Sequence, residues 1–248
     1  MKREELFSKI NEYVINHIEN FHNARLDSLS KLKLKKVLER KNLYLFRAKN
    51  QVLANDIVKG ILDSYLSSSE ETIFGDWLEG LAIFVAGEVF GGKKSSALGI
   101  DLEFDRDGIH YIVSIKSGPN WGNSNQIQKM ENDFKMAMKI LHTSQSKLHV
   151  EAINGCCYGK DKNPDKGHYR KLCGQDFWEF LSGEPDLYLK IIEPLSVKAK
   201  EKNDDFFKQY NCKLNLFVKD FLKDYSLNDG SVDWNKLIKM NSGRIIEE

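Results

Sequence analysis

Carboxylates and a lysine stand where two short extended segments of this sequence meet. In GIDLEFDRDGIHYIVSIKSGPNWGNS (residues 99–124), Ile100, Leu102 and Phe104 alternate with Asp101, Glu103 and Asp105, the period-two pattern of a half-buried strand. Asp107-Gly108 is a favoured hairpin turn, because both residues tolerate positive φ. With that turn, Arg106 faces Ile109 and Asp101 faces Ser114. One face then carries Asp101, Glu103, Ile112, Ser114 and Lys116; the other carries Ile100, Leu102, Phe104, Tyr111, Val113 and Ile115. Such a set could hold a divalent metal against a phosphate. The metal would lower the pKa of its water and draw charge from the phosphoryl group. The lysine would orient that water or stabilise the developing charge. Magnesium suits the part, since it takes oxygen ligands and keeps several waters.

The elements before the hairpin must bring it a further acid. Asp76 to Phe90 is apolar nearly all round and is expected to be a buried helix. Its two acids, Glu79 and Glu88, are nine residues apart; at about 100° per residue they point to opposite faces, so only one can look at the hairpin. Ala82, Ile83 and Ala86 flank Glu79, and the alanines are small enough to let a sheet approach. A carboxylate buried there needs a cation, a metal or a donor; a salt bridge near the helix start is the other reading. Ser67 to Thr72, SSSEET, reads as helix-cap chemistry dividing this helix from another over 51–66. Residues 3–22 space Leu6, Ile10, Tyr13, Val14, Ile18 and Phe21 as an amphipathic helix, with His17 beside the stripe as a packing residue. Residues 29–40 form a separate, lysine-rich helical stretch (Lys31, Lys33, Lys35, Lys36, Arg40), suited to a solvated face or to a polyanion backbone. YLFRAKN, at 44–50, is short and mixed. In GEVFGGKKS (87–95), Lys94 stands where a phosphate loop needs Ser or Thr, and helix precedes strand. This is a glycine turn with a basic tip.

After the hairpin comes a turn-rich loop, with Ser124 or Asn125 placed to cap the next helix. In that helix Ile127, Met130, Phe134, Ala137 and Leu141 form one apolar stripe. Lys147 to Ile153 reads as a third strand. The order helix, strand, strand, helix, strand predicts a mixed α/β core. Residues 155–171 read as a loop carrying Lys160, Lys162, Lys166, Arg170 and Lys171. Cys156, Cys157, His168 and Cys173 have no zinc-site spacing, and adjacent cysteines chelate one metal badly. The remainder is predominantly helical, with Phe177, Trp178, Phe180 and Leu181 clustered. Without repeats or linkers, residues 1–248 are expected to form one domain: a helical part over 1–70, a catalytic core over 71–155 and a mainly helical part over 156–248.

Composition fits a globular protein, with 41% hydrophobic and 29% charged residues. The formal charge of +1 gives no global basic field, so any contact with nucleic acid must use local patches. No apolar run reaches membrane length, and the charged N-terminus is no signal peptide. Four cysteines without secretion signals suggest reduced thiols. A soluble cytoplasmic protein is expected.

Asp101, twelve intervening residues and then Ser114-Ile115-Lys116 resemble the PD-(D/E)xK nuclease motif on its usual hairpin. YLFRAKN, SSSEETIFG, GIDLEF, SIKSGPNWGNS and CGQDFWEFLSG resemble a group of bacterial type II restriction endonucleases over about residues 43–185, SIKSGPNWGNS being the most specific part. The resemblance implies a restriction-endonuclease-like fold and a magnesium-dependent endonuclease of restriction-modification defence. Such an enzyme cuts a short duplex DNA site and leaves 5′-phosphate and 3′-hydroxyl ends. Asp101 and Lys116 take the motif positions, and Glu79 matches an additional acid carried on the preceding helix. Ile100 stands in place of the motif proline, and Ser114 in place of its second acid. Serine is a weak metal ligand, so either Glu103 or Glu79 compensates beside Asp101, or fewer metals bind. The site residues implied are Asp101, Lys116, Glu79 and Ser114, with Glu103 as a metal ligand. Asn120, Asn123, Ser124, Gln126, Lys160 and Lys162 are expected to contact DNA, and a homodimer would match a palindromic site. A repair or junction-resolving nuclease of the same fold, or a non-catalytic DNA-binding relative, is the alternative.

Overall fold

The Asp107-Gly108 turn adopts positive φ at both residues, 54° and 79°, and sets the register of the hairpin on which the site stands. The computed structural model describes residues 2–144 and 148–244. Its helices are α1 (Arg3–Lys31), α2 (Leu34–Glu39), α3 (Leu43–Ala48), α4 (Ala54–Phe90), α5 (Ser124–Ser144), α6 (Gln175–Ser182), α7 (Leu187–Lys190), α8 (Ile192–Leu195), α9 (Ala199–Tyr225) and α10 (Trp234–Ser242). Its strands are β1 (Lys93–Lys94), β2 (Leu102–Arg106), β3 (Ile109–Lys116), β4 (His149–Cys156) and β5 (Arg170–Cys173). The architecture is α/β: a mixed sheet with helical parts before and after it, consistent with a restriction-endonuclease-like fold. The chain forms two compact units, residues 1–19 with 74–197 and residues 20–73 with 198–248.

The first unit holds the sheet, in order β1-β2-β3-β4-β5. β1, β2 and β3 are antiparallel, while β4 and β5 join parallel. The β2–β3 register pairs Arg106 with Ile109 and Leu102 with Val113, as the turn chemistry requires. One face is covered by α5, whose Met130, Phe134 and Ala137 pack on Ile100, Ile112 and Ala152. The opposite face is aromatic. Phe104 stacks between Phe90 and Tyr111, and the Arg106 guanidinium lies 4.6 Å from the Phe180 ring centre while donating to the Phe180 carbonyl. Within this unit Tyr13 of α1 stacks on Phe84 of α4, and Lys9 binds Glu88 at 2.7 Å. α4 ends on paired backbone bonds, Gly91 N–H to the Gly87 carbonyl and Gly92 N–H to the Ala86 carbonyl, with Gly91 at φ 68°. The Gly91 N–H to Gly87 carbonyl bond, with Gly91 left-handed, is an αL C-cap.

The second unit is helical. Leu38, Leu43, Ile57, Ile61, Leu62 and Phe221 are among the fully buried side chains of its core. Arg25 binds Glu70 at 2.8 Å and lies 3.9 Å from the Phe206 ring centre.

Several boundaries differ from the sequence expectation. Ser67 to Thr72 caps nothing, because α4 runs through it. Ser68 and Thr72 return their hydroxyls to the carbonyls of Ser64 and Ser68, the bonding that lets such residues sit inside a helix. Ser69 meets Ser28, and Glu70 is taken by Arg25. α1 likewise continues to Lys31, and Asn42 caps a short helix over the segment expected to be mixed. The third strand extends to Cys156, and Arg170 and Lys171 belong to β5 rather than to a loop; Lys147, its expected start, lies outside the described residues. At Gly155 a Cβ would stand 2.1 Å from the buried Phe177 ring, so a strand lacking a side chain there is what admits α6. Gly155→Ala should therefore cost about 1–3 kcal/mol of unfolding free energy. Urea denaturation checks this, and unchanged stability would contradict that packing.

Candidate active site

Asp101 sits one residue before β2, and its backbone N–H still donates to the Val113 carbonyl at 2.9 Å. Beyond that point its side chain takes over the ladder. Oδ2 accepts the Ile115 N–H at 2.6 Å, the Ser114 hydroxyl reaches it at 3.5 Å, and the Lys116 ammonium lies at 3.7 Å. All three converge on one oxygen, which orients the carboxylate. Ser114 is 1% exposed. A longer, charged side chain there would crowd the Asp101 carboxylate, which the Ser114 hydroxyl already reaches at 3.5 Å.

Lys116 is held from its other side. Its ammonium lies 5.4 Å from the Trp121 ring centre, within cation–π range. The Trp121 indole N–H donates to Asn154 Oδ1 at 3.1 Å, and Asn154 Nδ2 donates to the Ser114 carbonyl at 3.2 Å. Asn154 is itself 1% exposed, so both ends of a buried amide are satisfied by the strand and loop that flank the lysine. Sequence reasoning missed Trp121 and Asn154. A lone amide inside the run EAINGC was the available signal.

Glu79 enters from α4. A Cβ at Gly75, one turn earlier, would lie 3.3 Å from Ser117, which places this face of the helix against the end of β3. Ala82 and Ala86 are fully buried, and Glu88 points away to Lys9. Burial, and next the nearby charge of Asp101, hold the Glu79 carboxyl above the usual carboxylate range, while Lys94 at 3.4 Å works against the rise. Lys94 is brought there by β1 and was not anticipated as a site residue. Burial and the Glu79 charge also push the Cys157 thiol up to about 12. Cys157 N–H bonds the Lys116 carbonyl at 2.9 Å, tying the ends of β3 and β4 together.

The remaining expected residues are more dispersed. The Glu103 carboxylate accepts the Ser95 hydroxyl and lies 3.8 Å from His110. No group of three or more His, Cys, Asp or Glu side chains among the described residues is arranged to hold a metal. Asn120, Asn123, Ser124, Gln126, Lys160 and Lys162 are all exposed. Asn123 and Gln126 form a reciprocal cap: the Gln126 N–H donates to Asn123 Oδ1 at 3.1 Å and the Asn123 N–H to Gln126 Oε1 at 2.9 Å. The helix cap is thus Asn123, one residue before Ser124, in capping-box geometry. Lys166 and Lys171 both pair with Asp161, and Lys171 also donates to the Pro119 carbonyl at 2.8 Å. The two loops after β3 and β4 are thereby joined.

Glu79 lies close enough to Asp101 to feel its charge, with Lys94 beside the first and Lys116 beside the second. That donor chemistry fits a hard divalent cation which keeps most of its waters. No helix among the described residues is long and apolar enough to cross a membrane. Residues 8–203 match the family model described as Type II restriction endonuclease EcoO109I. No curated protein matches the chain.

The raised Glu79 carboxyl also has a consequence for stability. The folded protein holds that proton more tightly than the unfolded chain. Its contribution to stability is therefore complete below the ordinary glutamate pKa and is lost as pH rises through the higher folded value. In metal-free buffer Glu79→Gln should gain stability over wild type across that rise and keep the gain at neutral pH. Thermal melts at a series of pH values check this; a difference independent of pH would contradict it.

Proposed function

The chain belongs to the type II restriction endonuclease EcoO109I family, and from that premise we propose that it cuts DNA as a PD-(D/E)xK nuclease built on Asp101, Lys116 and Glu79. It is a DNA-hydrolysing enzyme and a type II site-specific nuclease. The observation that carries the residue assignment is the convergence of the Ile115 N–H, the Ser114 hydroxyl and the Lys116 ammonium on Asp101 Oδ2. Asp101, through Oδ1, and Glu79 would hold magnesium. When bound, the metal supplies a water of lowered pKa and neutralises charge on the phosphoryl group. Glu79 takes the role of the second motif acid, which Ser114 cannot fill. Lys116, fixed between Asp101 and the Trp121 ring, orients the attacking water and stabilises charge on the phosphate. The water oxygen bonds to phosphorus, the bond from phosphorus to the 3′-oxygen breaks, and that oxygen takes up a proton. The products are 5′-phosphate and 3′-hydroxyl ends.

Asn120, Ser124, Lys160 and Lys162 lie on exposed segments and suit contacts to DNA, whereas Asn123 and Gln126 are committed to the helix cap. The enzyme acts as a homodimer, because two copies of one site can cut both strands of a two-fold symmetric sequence.

The test is incubation of mixed-sequence DNA with the protein and magnesium, followed by sequencing of the ends. Wild type should give discrete cuts with 5′-phosphate ends. Asp101→Asn and Lys116→Ala should each lose at least about a hundredfold in rate, the scale seen when one preorganised charge-stabilising group is removed. Near wild-type cutting by either variant would contradict the assignment.

A further inference from the structure

The segment from Lys31 to Lys49 carries eight lysines and arginines against one acid, Glu39. That is seven net positive charges in a chain whose total is +1, so the rest of the molecule is net negative. The fold presents these charges outward. Leu32, Leu34, Val37 and Leu38 are buried in the helical unit's core, while Lys31, Lys33, Lys35, Lys36 and Arg40 are exposed. The helix is pinned from beneath: Asn241 Nδ2 donates to the carbonyls of Leu38, at 2.9 Å, and Lys41, at 3.2 Å. Lys213 donates to the Ser30 carbonyl at 2.8 Å at the end of α1. The residues that hold the segment therefore satisfy its backbone and leave its charges alone. Lys31 pairs with Asp27, but among the described residues Lys33, Lys35, Lys36, Arg40 and Lys49 form no ion pair.

A solvated helix face usually intersperses both signs, because like charges held together repel. A surface with eight bases to one acid, on a DNA-hydrolysing enzyme whose remainder is net negative, fits a polyanion. We propose that residues 31–49 form a second DNA-binding surface, which grips backbone phosphates and reads no base. Lysine ammoniums are point charges with rotatable donors, suited to phosphates and poor at discriminating base edges. The proposal rests on DNA being the substrate and is independent of which residues cut it.

The test uses the full-length chain, a short fluorescent duplex of random sequence and EDTA, so that binding is read without cleavage. The triple variant Lys33→Gln, Lys35→Gln, Lys36→Gln should bind more weakly. Its plot of log affinity against log salt should be shallower by about 2.7, at about 0.9 for each phosphate no longer neutralised. Between about 50 and 200 mM salt, wild type should therefore lose about fortyfold more affinity than the variant. A control triple with the same charge change, Lys219→Gln, Lys223→Gln and Lys236→Gln, lies at exposed positions elsewhere in the unit and should leave the slope near that of wild type. Both triples should melt like wild type. An unchanged slope in the first triple, or an equal fall in the control, would overturn the surface. So would a wild-type chain that binds no random duplex. Cleavage in magnesium by that chain would leave the active-site reading standing on its own.

Discussion

The site depends on one hydrogen bond, from the Ile115 backbone N–H to Asp101 Oδ2. It forms where the β2–β3 ladder runs out of main-chain partners, so a side chain takes the place of a strand. An amide donor to an ionised carboxylate is stronger than one to a neutral group, and here it also fixes direction. Lys116, one residue beyond Ile115, is delivered beside the same oxygen at 3.7 Å. The spacing of the motif follows from strand geometry. The paired register ends at Leu102 and Val113, and from there the Asp101 side chain reaches Ser114, Ile115 and Lys116.

Around that bond the protein arranges charge without burying an unpaired one. With Ser114 rather than an acid 3.5 Å from the Asp101 carboxylate, no second carboxylate touches it there, and Glu79 approaches from α4. Glu79 is partly buried, answered by Lys94 at 3.4 Å. Burial first, and then the charge of Asp101, raise its proton affinity against the pull of Lys94. Gly75, Ala82 and Ala86 on that helix are what allow it to come close to the end of β3.

The hairpin was legible because alternation and an Asp-Gly turn agreed, although Ile100, expected on the Leu102 face, packs instead with Ile112 under α5. The α5 stripe was legible as well, with Met130, Phe134 and Ala137 all on the buried side. The opposed directions of Glu79 and Glu88 followed from helix periodicity alone. Ser67 to Thr72 misled because cap-forming side chains act as caps only when no other partner claims them; here helix carbonyls, Ser28 and Arg25 do. β5 and the end of β4 were hidden by cysteine, glycine and basic residues, whose extended conformation is imposed by parallel pairing rather than by local preference. The Asn123–Gln126 cap was present as a three-residue spacing but was assigned one or two positions late. Asn154 and Trp121 were invisible as partners, since nothing local brings a strand amide and a loop indole to one lysine.

The most direct measurement is a crystal structure of the protein with its DNA and calcium, which occupies magnesium sites without supporting the chemistry. A metal is expected between Asp101 Oδ1 and the Glu79 carboxylate at about 2.3–2.6 Å from each, with Lys116 still within reach of Asp101 Oδ2 and the scissile phosphate on the metal's open side. A metal held by Glu103, with Glu79 still paired to Lys94 and outside the coordination shell, would contradict it.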